Sequence, residues 1–167
     1  MVLVETFSGV RGEFGKDLTI EVCKNYAIAF SKFYAGKGIT FPKIVIGIDT
    51  RVSGTAIKKA MIESFSGNII DVGVMPTAGV ENAVREYNAD GGIMITGSHN
   101  EPKDNGLKFL DSNGAILPPL DAEKLIEYAH LSSPFTNTTI PTTIKPNIEL
   151  MGEDCLKKYF DFALSFF

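Results

Sequence analysis

A chain of 167 residues with 44% hydrophobic side chains can build one domain around a sizeable core, and no apolar run approaches the roughly 18 residues of a membrane span. The formal charge of −4 argues against a general nucleic-acid binder, which needs a basic face to neutralise phosphates, so neither nucleic acid nor membrane is an expected partner. Cys23 and Cys155 lie far apart, and His99 and His130 are the two histidines, which argues against a disulfide framework or a zinc site; the N-terminal stretch MVLVETFSGVRG resembles no leader, so a cytoplasmic location is expected.

Residues 3–14, LVETFSGVRGEF, read as a short strand breaking into a turn, with Arg11 held between Gly9 and Gly12. From Thr19, a capping residue, Ile20, Cys23, Ala27, Phe30 and Tyr34 recur at helical spacing until Gly36 and Gly38 end the helix. Lys43 to Ile48, KIVIGI, is a buried strand, followed by the loop DTRVSGTA and a helix with Ile57, Ala60, Met61 and Phe65 on one face. That loop does not match the phosphate-binding GxxxxGK[ST] pattern, because position 52 is valine where the second glycine belongs; Ser53 is expected to cap the helix. Asn68 to Val74 is the next strand, Met75-Pro76 a turn, and Thr77 through Tyr87 a helix with Val80, Val84 and Tyr87 inward.

Ile93 to Ile95 continues the alternation as a short buried strand. Eleven residues, Thr96 to Gly106, then pass without a hydrophobic side chain before Leu107 and Phe109 resume a strand. This loop delivers a serine, a histidine and an asparagine to one end of the sheet, and if its flanking strands run antiparallel, Ser98 and Lys108 share an edge. An ordinary Asn/Gly/Pro hairpin connection is the competing reading. After Leu110, DSNGAILP reads as a turn and short return strand, and Asp121 to His130 as a helix with Leu125 and Ala129 inward. Residues 132–147, with three prolines among serines and threonines, read as a connector. The last helix, from Gly152, spreads Phe160, Phe162, Phe166 and Phe167 over more than one face and is expected to want a partner. The alternation predicts an α/β fold, a three-layer α/β/α sandwich with a mixed, mostly parallel sheet and ligands at the carboxyl ends of its strands, where Ser98 sits.

Two chemistries compete for Ser98. A hydrolase nucleophile fits poorly, because TGSHN lacks the second glycine of a GxSxG elbow and adjacent side chains on an extended loop point apart. A serine that carries a phosphoryl group needs neutralising cations, donors around its oxygens, and an acid/base near the acceptor hydroxyl; Arg11, Lys108 and the amides near Gly97 supply those parts. No Asp-x-Asp-x-Asp loop is present for magnesium, so a metal would be brought by another domain.

Four motifs in order, GVRG at 9–12, DTRVSG at 49–54, TGSHN at 96–100 and NGLKF at 105–109, resemble those of the alpha-D-phosphohexomutases, the phosphoglucomutase and phosphomannomutase superfamily. The resemblance implies that residues 1–150 are the first of that family's four domains and that 151–167 begin a linker helix towards a second. It implies part of an isomerase, an intramolecular phosphotransferase interconverting hexose 1-phosphate and hexose 6-phosphate through a bisphosphorylated sugar, inactive as this piece alone. By the same match Ser98 is the phosphoserine, Lys108 the general acid/base and Arg11 a phosphate contact, while His99 and Asn100 shape the loop and touch substrate. Mg²⁺ would meet the phosphate on Ser98, and a bisphosphorylated hexose would act as activator. The remaining mutase domains, in cis or as a partner chain, would bring the metal loop and the sugar-selecting loop. Glu101 stands where a proline is often found, and Ile48 where an arginine often precedes the DTR triplet. The alternative is a non-catalytic sugar-phosphate-binding or regulatory module with the same fold.

Overall fold

The runs KIVIGI and NIIDVGV are apolar on both faces of a strand, and such segments are stable only where helices cover the sheet on both sides. The computed structural model, which describes residues 2–131 and 146–166, arranges them that way. Its elements are β1 (Val4–Thr6), β2 (Gly9–Glu13), α1 (Ile20–Ala35), β3 (Lys43–Ile48), α2 (Val52–Ser64), β4 (Asn68–Val74), α3 (Thr77–Glu86), β5 (Gly91–Ile95), β6 (Asp104–Leu110), α4 (Pro119–Leu131), β7 (Asn147–Leu150) and α5 (Gly152–Leu164). All seven strands join one sheet in the order β1-β2-β6-β5-β3-β4-β7. The pairs β3–β4, β3–β5 and β4–β7 are parallel; β5–β6, β2–β6 and β1–β2 are antiparallel. Only β1 and β6 therefore oppose the other five strands, and the mixed, mostly parallel α/β/α sandwich expected from the alternation is the observed architecture.

Each face of the sheet has its own core. Ile44, Ile46, Ile48, Ile93, Ile95, Leu107 and Phe109 point to one side, where α1, α2 and α4 pack. Phe30 of α1 is the hub there: its ring centroid lies 4.9 Å from Tyr34 and 5.1 Å from Phe109 of β6, both edge-on. Burying such a ring contributes about 1.5–3 kcal/mol, so this cluster fixes α1 across the sheet. On the other side Val45, Ile70, Val72, Met94 and Leu110 meet α3 and Cys155 of α5. Among the described residues, no helix is long and apolar enough to cross a membrane.

Several local expectations change. Arg11 lies within β2, paired on both sides, and the turn falls at Phe7-Ser8. Ser53 does not cap α2: Arg51 is the N-cap residue, no side chain caps the helix, and the Ser53 hydroxyl accepts a hydrogen bond from Asn105 Nδ2 at 2.8 Å instead. The return strand after Leu110 shrinks to one bridge, Leu110 to Ile116. The connector expected at 132–147 lies outside the described residues through 145, and its last residue, Asn147, begins β7, a strand the sequence reading missed. The NIEL run is short and fully exposed, so only its parallel register with Asn68 to Asp71 of β4 identifies it.

The last helix is part docked and part bare. Cys155 is 2% exposed in the second core, and Asp154 accepts a 2.8 Å hydrogen bond from the Tyr87 hydroxyl, while Phe160, Leu164 and Phe166 stand more than half exposed. Burial raises the Cys23 thiol to about 12 and the Cys155 thiol to about 11, keeping both protonated at neutral pH. Both should therefore react with a thiol reagent at pH 8 far more slowly than free cysteine. In a urea titration Cys155 should become reactive before Cys23, because its burial depends on the docking of the half-exposed helix α5; equal reactivity of Cys155 and free cysteine in native protein would show that α5 is not docked.

Candidate active site

The polar face of this molecule follows from register. Arg11 of β2 lies opposite Gly106 of β6, and Thr96, just beyond β5, donates its amide to the Gly106 carbonyl at 2.9 Å. Directly paired residues share a face, and so do residues two apart along a strand, so Arg11, Lys108, Thr96 and the approach to Ser98 fall on one side. Within β6, Leu107 and Phe109 enter the first core while Gly106 and Lys108 alternate to the other face. Among the described elements, α3 packs over β3 and β5 and α5 over β4, which leaves this end of that face for polar side chains. Gly106 keeps the row open: a Cβ there would lie 2.7 Å from the Val10 carbonyl and 3.3 Å from Arg11 Cβ.

The structure brings together every residue expected at the site. A cavity of about 180 Å³ is lined by Arg11, Ser98, His99, Asn100 and Lys108, together with Ser8, Gly97 and Gly106. Arg11 Nη2 donates to Ser8 Oγ at 3.0 Å, which aims the guanidinium along the strand edge. Among the described residues, no carboxylate pairs with Arg11 or Lys108, so two cations face the cavity uncompensated by the protein's own acids. An arrangement of that kind favours an anionic ligand or an anionic form of Ser98.

Ser98 itself is exposed and carries φ +53°, in the left-handed region. The expectation that Ser98 and His99 point apart fails for this reason: the segment is not extended, and Ser98 Oγ lies 3.3 Å from His99 Nδ1. Among the described residues no carboxylate orients the other nitrogen of that ring, so the pair lacks the third member of a hydrolytic triad. Thr96, two residues before Ser98, is 8% exposed and its hydroxyl accepts the Ser98 amide at 2.8 Å. It also lines the cavity, but its hydroxyl is spent on the loop backbone, whereas Ser98 stands exposed.

The residue that sequence reasoning passed over is Arg51. Its guanidinium donates to the carbonyls of Glu101 at 2.6 Å, Ser98 at 2.9 Å and Asn100 at 2.9 Å, and its Nε to Asp49 Oδ2 at 3.0 Å. Asp49 also accepts the Arg51 amide at 2.9 Å and the Gly97 amide at 3.2 Å. A left-handed non-glycine residue costs about 1–3 kcal/mol, and each hydrogen bond to a charged group returns about 1.5–3 kcal/mol, so three such bonds outweigh the strain at Ser98. The signal available in the sequence was the Asp-Thr-Arg triplet at a strand end, but a solvated loop arginine reads the same way.

Ser98 borders a second, wider cavity of about 570 Å³ on the α2 side, with Asp49, Thr50, Arg51, Thr77 and Asn100 among its walls. As a cation site it fits poorly, since both oxygens of Asp49 are engaged and, among the described residues, no group of three acids, histidines or cysteines converges anywhere.

Comparison with known proteins agrees with this geometry. Residues 5–133 match the family model described as phosphoglucomutase/phosphomannomutase, alpha/beta/alpha domain I. The chain is 35% identical over 158 residues to a phosphoglucosamine mutase of Clostridium tetani, covering 93% of this chain and 35% of the relative. It is 37% identical over 158 residues to a phosphoglucomutase/phosphomannomutase of Thermococcus kodakarensis, covering 92% and 33% respectively. A solved phosphoglucomutase/phosphomannomutase family protein from Burkholderia thailandensis superposes with a TM-score of 0.71 over 95% of this chain and 36% of that one, at 24% identity, a likeness of fold. The chain spans about a third of the length of these relatives. With this match over residues 5–133, and with a left-handed serine facing two cations that no acid pairs among the described residues, the chain is a member of the phosphoglucomutase/phosphomannomutase family and corresponds to its alpha/beta/alpha domain I.

Proposed function

We propose that this chain is the phosphoryl-carrying domain of a cytoplasmic phosphohexomutase, interconverting hexose 1-phosphate and hexose 6-phosphate through a bisphosphorylated sugar. The observation that carries the reading is the convergence of exposed Ser98 with Arg11 and Lys108, both without acidic partners among the described residues, around one cavity. In the forward step the bond from phosphorus to Ser98 Oγ breaks as a bond to the substrate hydroxyl oxygen forms. The hydroxyl proton is relayed through Lys108 to Ser98 Oγ, and the return step reverses these exchanges at the other end of the sugar. Arg11 holds the transferring phosphoryl group, and His99 and Asn100 shape the loop and meet the sugar phosphate. A bound Mg²⁺ would add charge neutralisation at an oxygen of phospho-Ser98, its other ligands coming from outside this chain.

Residues 1–150 make the carrier domain and 151–167 begin the passage towards the remaining mutase domains. The exposed apolar side chains of α5 support that division, since Phe160, Leu164 and Phe166 present a face that further chain would cover. With the rest of a mutase supplied as a partner polypeptide, a bisphosphorylated hexose should load Ser98, and peptide mass spectrometry should place the phosphate there. Turnover by the complemented pair and none by the chain alone is the expected result; phosphate binding with no loading in either case would favour the non-catalytic sugar-phosphate-binding module.

Two substitutions separate the roles. Ser98→Ala should abolish loading and lower turnover by several orders of magnitude, because the Thr96 hydroxyl is buried and engaged. Lys108→Ala should retain the phosphoserine yet slow transfer about 10²- to 10⁴-fold. Near-native turnover of Ser98→Ala, or phosphate on Thr96, would overturn the assignment.

A further inference from the structure

The loop between β5 and β6 has no ladder of its own, yet it must present one hydroxyl in one direction. We propose that Arg51 is the positioning residue for phosphoryl transfer at Ser98, acting from the N-cap of α2 through the backbone of the loop rather than through the substrate. The proposal rests on the reading of Ser98 as phosphoryl carrier.

Three observations carry it. The guanidinium reaches the carbonyls of Ser98, Asn100 and Glu101 at once, and those three carbonyls define the course of the chain on both sides of His99. Its plane is itself fixed by Asp49, which also takes the Gly97 amide, so one carboxylate ties the arginine and the residue before Ser98 into a single unit. The loop has been built around it: a Cβ at Gly97 would lie 2.5 Å from both Cζ and Nε of Arg51, so the arginine packs against the bare α-carbon there. Two residues further along α2, Ser53 accepts from Asn105, whose Oδ1 takes the Gly106 amide at 2.8 Å. One helical turn thus holds the loop at its start and its finish.

Geometry then determines chemistry. With its carbonyl drawn towards α2, Ser98 adopts φ +53° and lines the cavity that Arg11 and Lys108 share. Lysine cannot replace this fork, because an ammonium is a point charge without the planar set of donors that spans three carbonyls. A displacement of about 1 Å in the carrier oxygen is enough to cost about 10²-fold in an in-line transfer.

The test uses the 167-residue chain with Arg51→Lys and Arg51→Ala, alone and complemented by the remaining mutase domains of a relative. Melting temperature should stay within about 5 °C of the parent, while amide exchange at Ser98 and Asn100, followed by NMR, should quicken about tenfold or more. Loading of Ser98 by a bisphosphorylated hexose should fall about 10²-fold at saturating donor with its half-saturating concentration little changed, and guanidinium ion should restore part of the rate in Arg51→Ala. Native exchange rates in both variants would overturn the proposal. So would a general loss of melting temperature with kcat and KM impaired together and no response to guanidinium, which would make Arg51 a residue of the fold alone. If exchange responds as expected but the parent chain never takes a phosphoryl group, the carrier reading fails and the hold of Arg51 on the loop stands.

Discussion

The pairing of Arg11 with Gly106 and of Gly106 with Thr96 is the constraint on which the site depends. Three strands meet in that row, β2 from the start of the chain with the consecutive β5 and β6, and the side-chain period of two then decides everything above it. A slip of one residue between β2 and β6 would turn Arg11 into the core that holds Phe30 and Phe109, and bring Val10 out to the cavity. The cost of burying a guanidinium among aromatic rings makes that alternative inaccessible. The apolar core on one face therefore enforces the polar site on the other.

Much of this was legible because the strands announce themselves. KIVIGI could be read as a buried strand from its apolar run and Asn68 to Val74 as the next strand, and β6 from the way Leu107 and Phe109 resume a strand after the polar loop. The gathering of Ser98, Lys108 and Arg11 followed from the antiparallel return of β6 and from the four ordered motifs. What the sequence hid was set by tertiary pairing. The turn expected around Arg11 became a strand because β6 offered it a partner, overriding the two glycines. Strand β7 is four exposed residues with no periodicity to detect. The role of Arg51 is a matter of where three carbonyls point, which no side-chain pattern encodes.

The site also divides its residues between strands and a loop. Arg11 and Lys108 stand on strands, where the ladder fixes their α-carbons, whereas Ser98, His99 and Asn100 ride on a loop. On the proposed reading, a serine that receives and gives up a phosphoryl group gains from being on a loop, provided its default position is held. Asp49 and Arg51, themselves at the seam between β3 and α2, connect that loop to an interior strand of the sheet.

The placement of β7 has a consequence for the chain while it is being made. Strand β4 precedes β7 by more than seventy residues, and until β7 arrives the outer edge of Asn68 to Asp71 offers unpaired amides and carbonyls on an apolar strand. Such an edge is a template for other nascent chains. Within that exposed row sits Asp71, drawn into an ion pair with Lys58 of α2 at 2.7 Å. A charge that must keep its inward partner is a poor fit for a foreign strand stacked in another register.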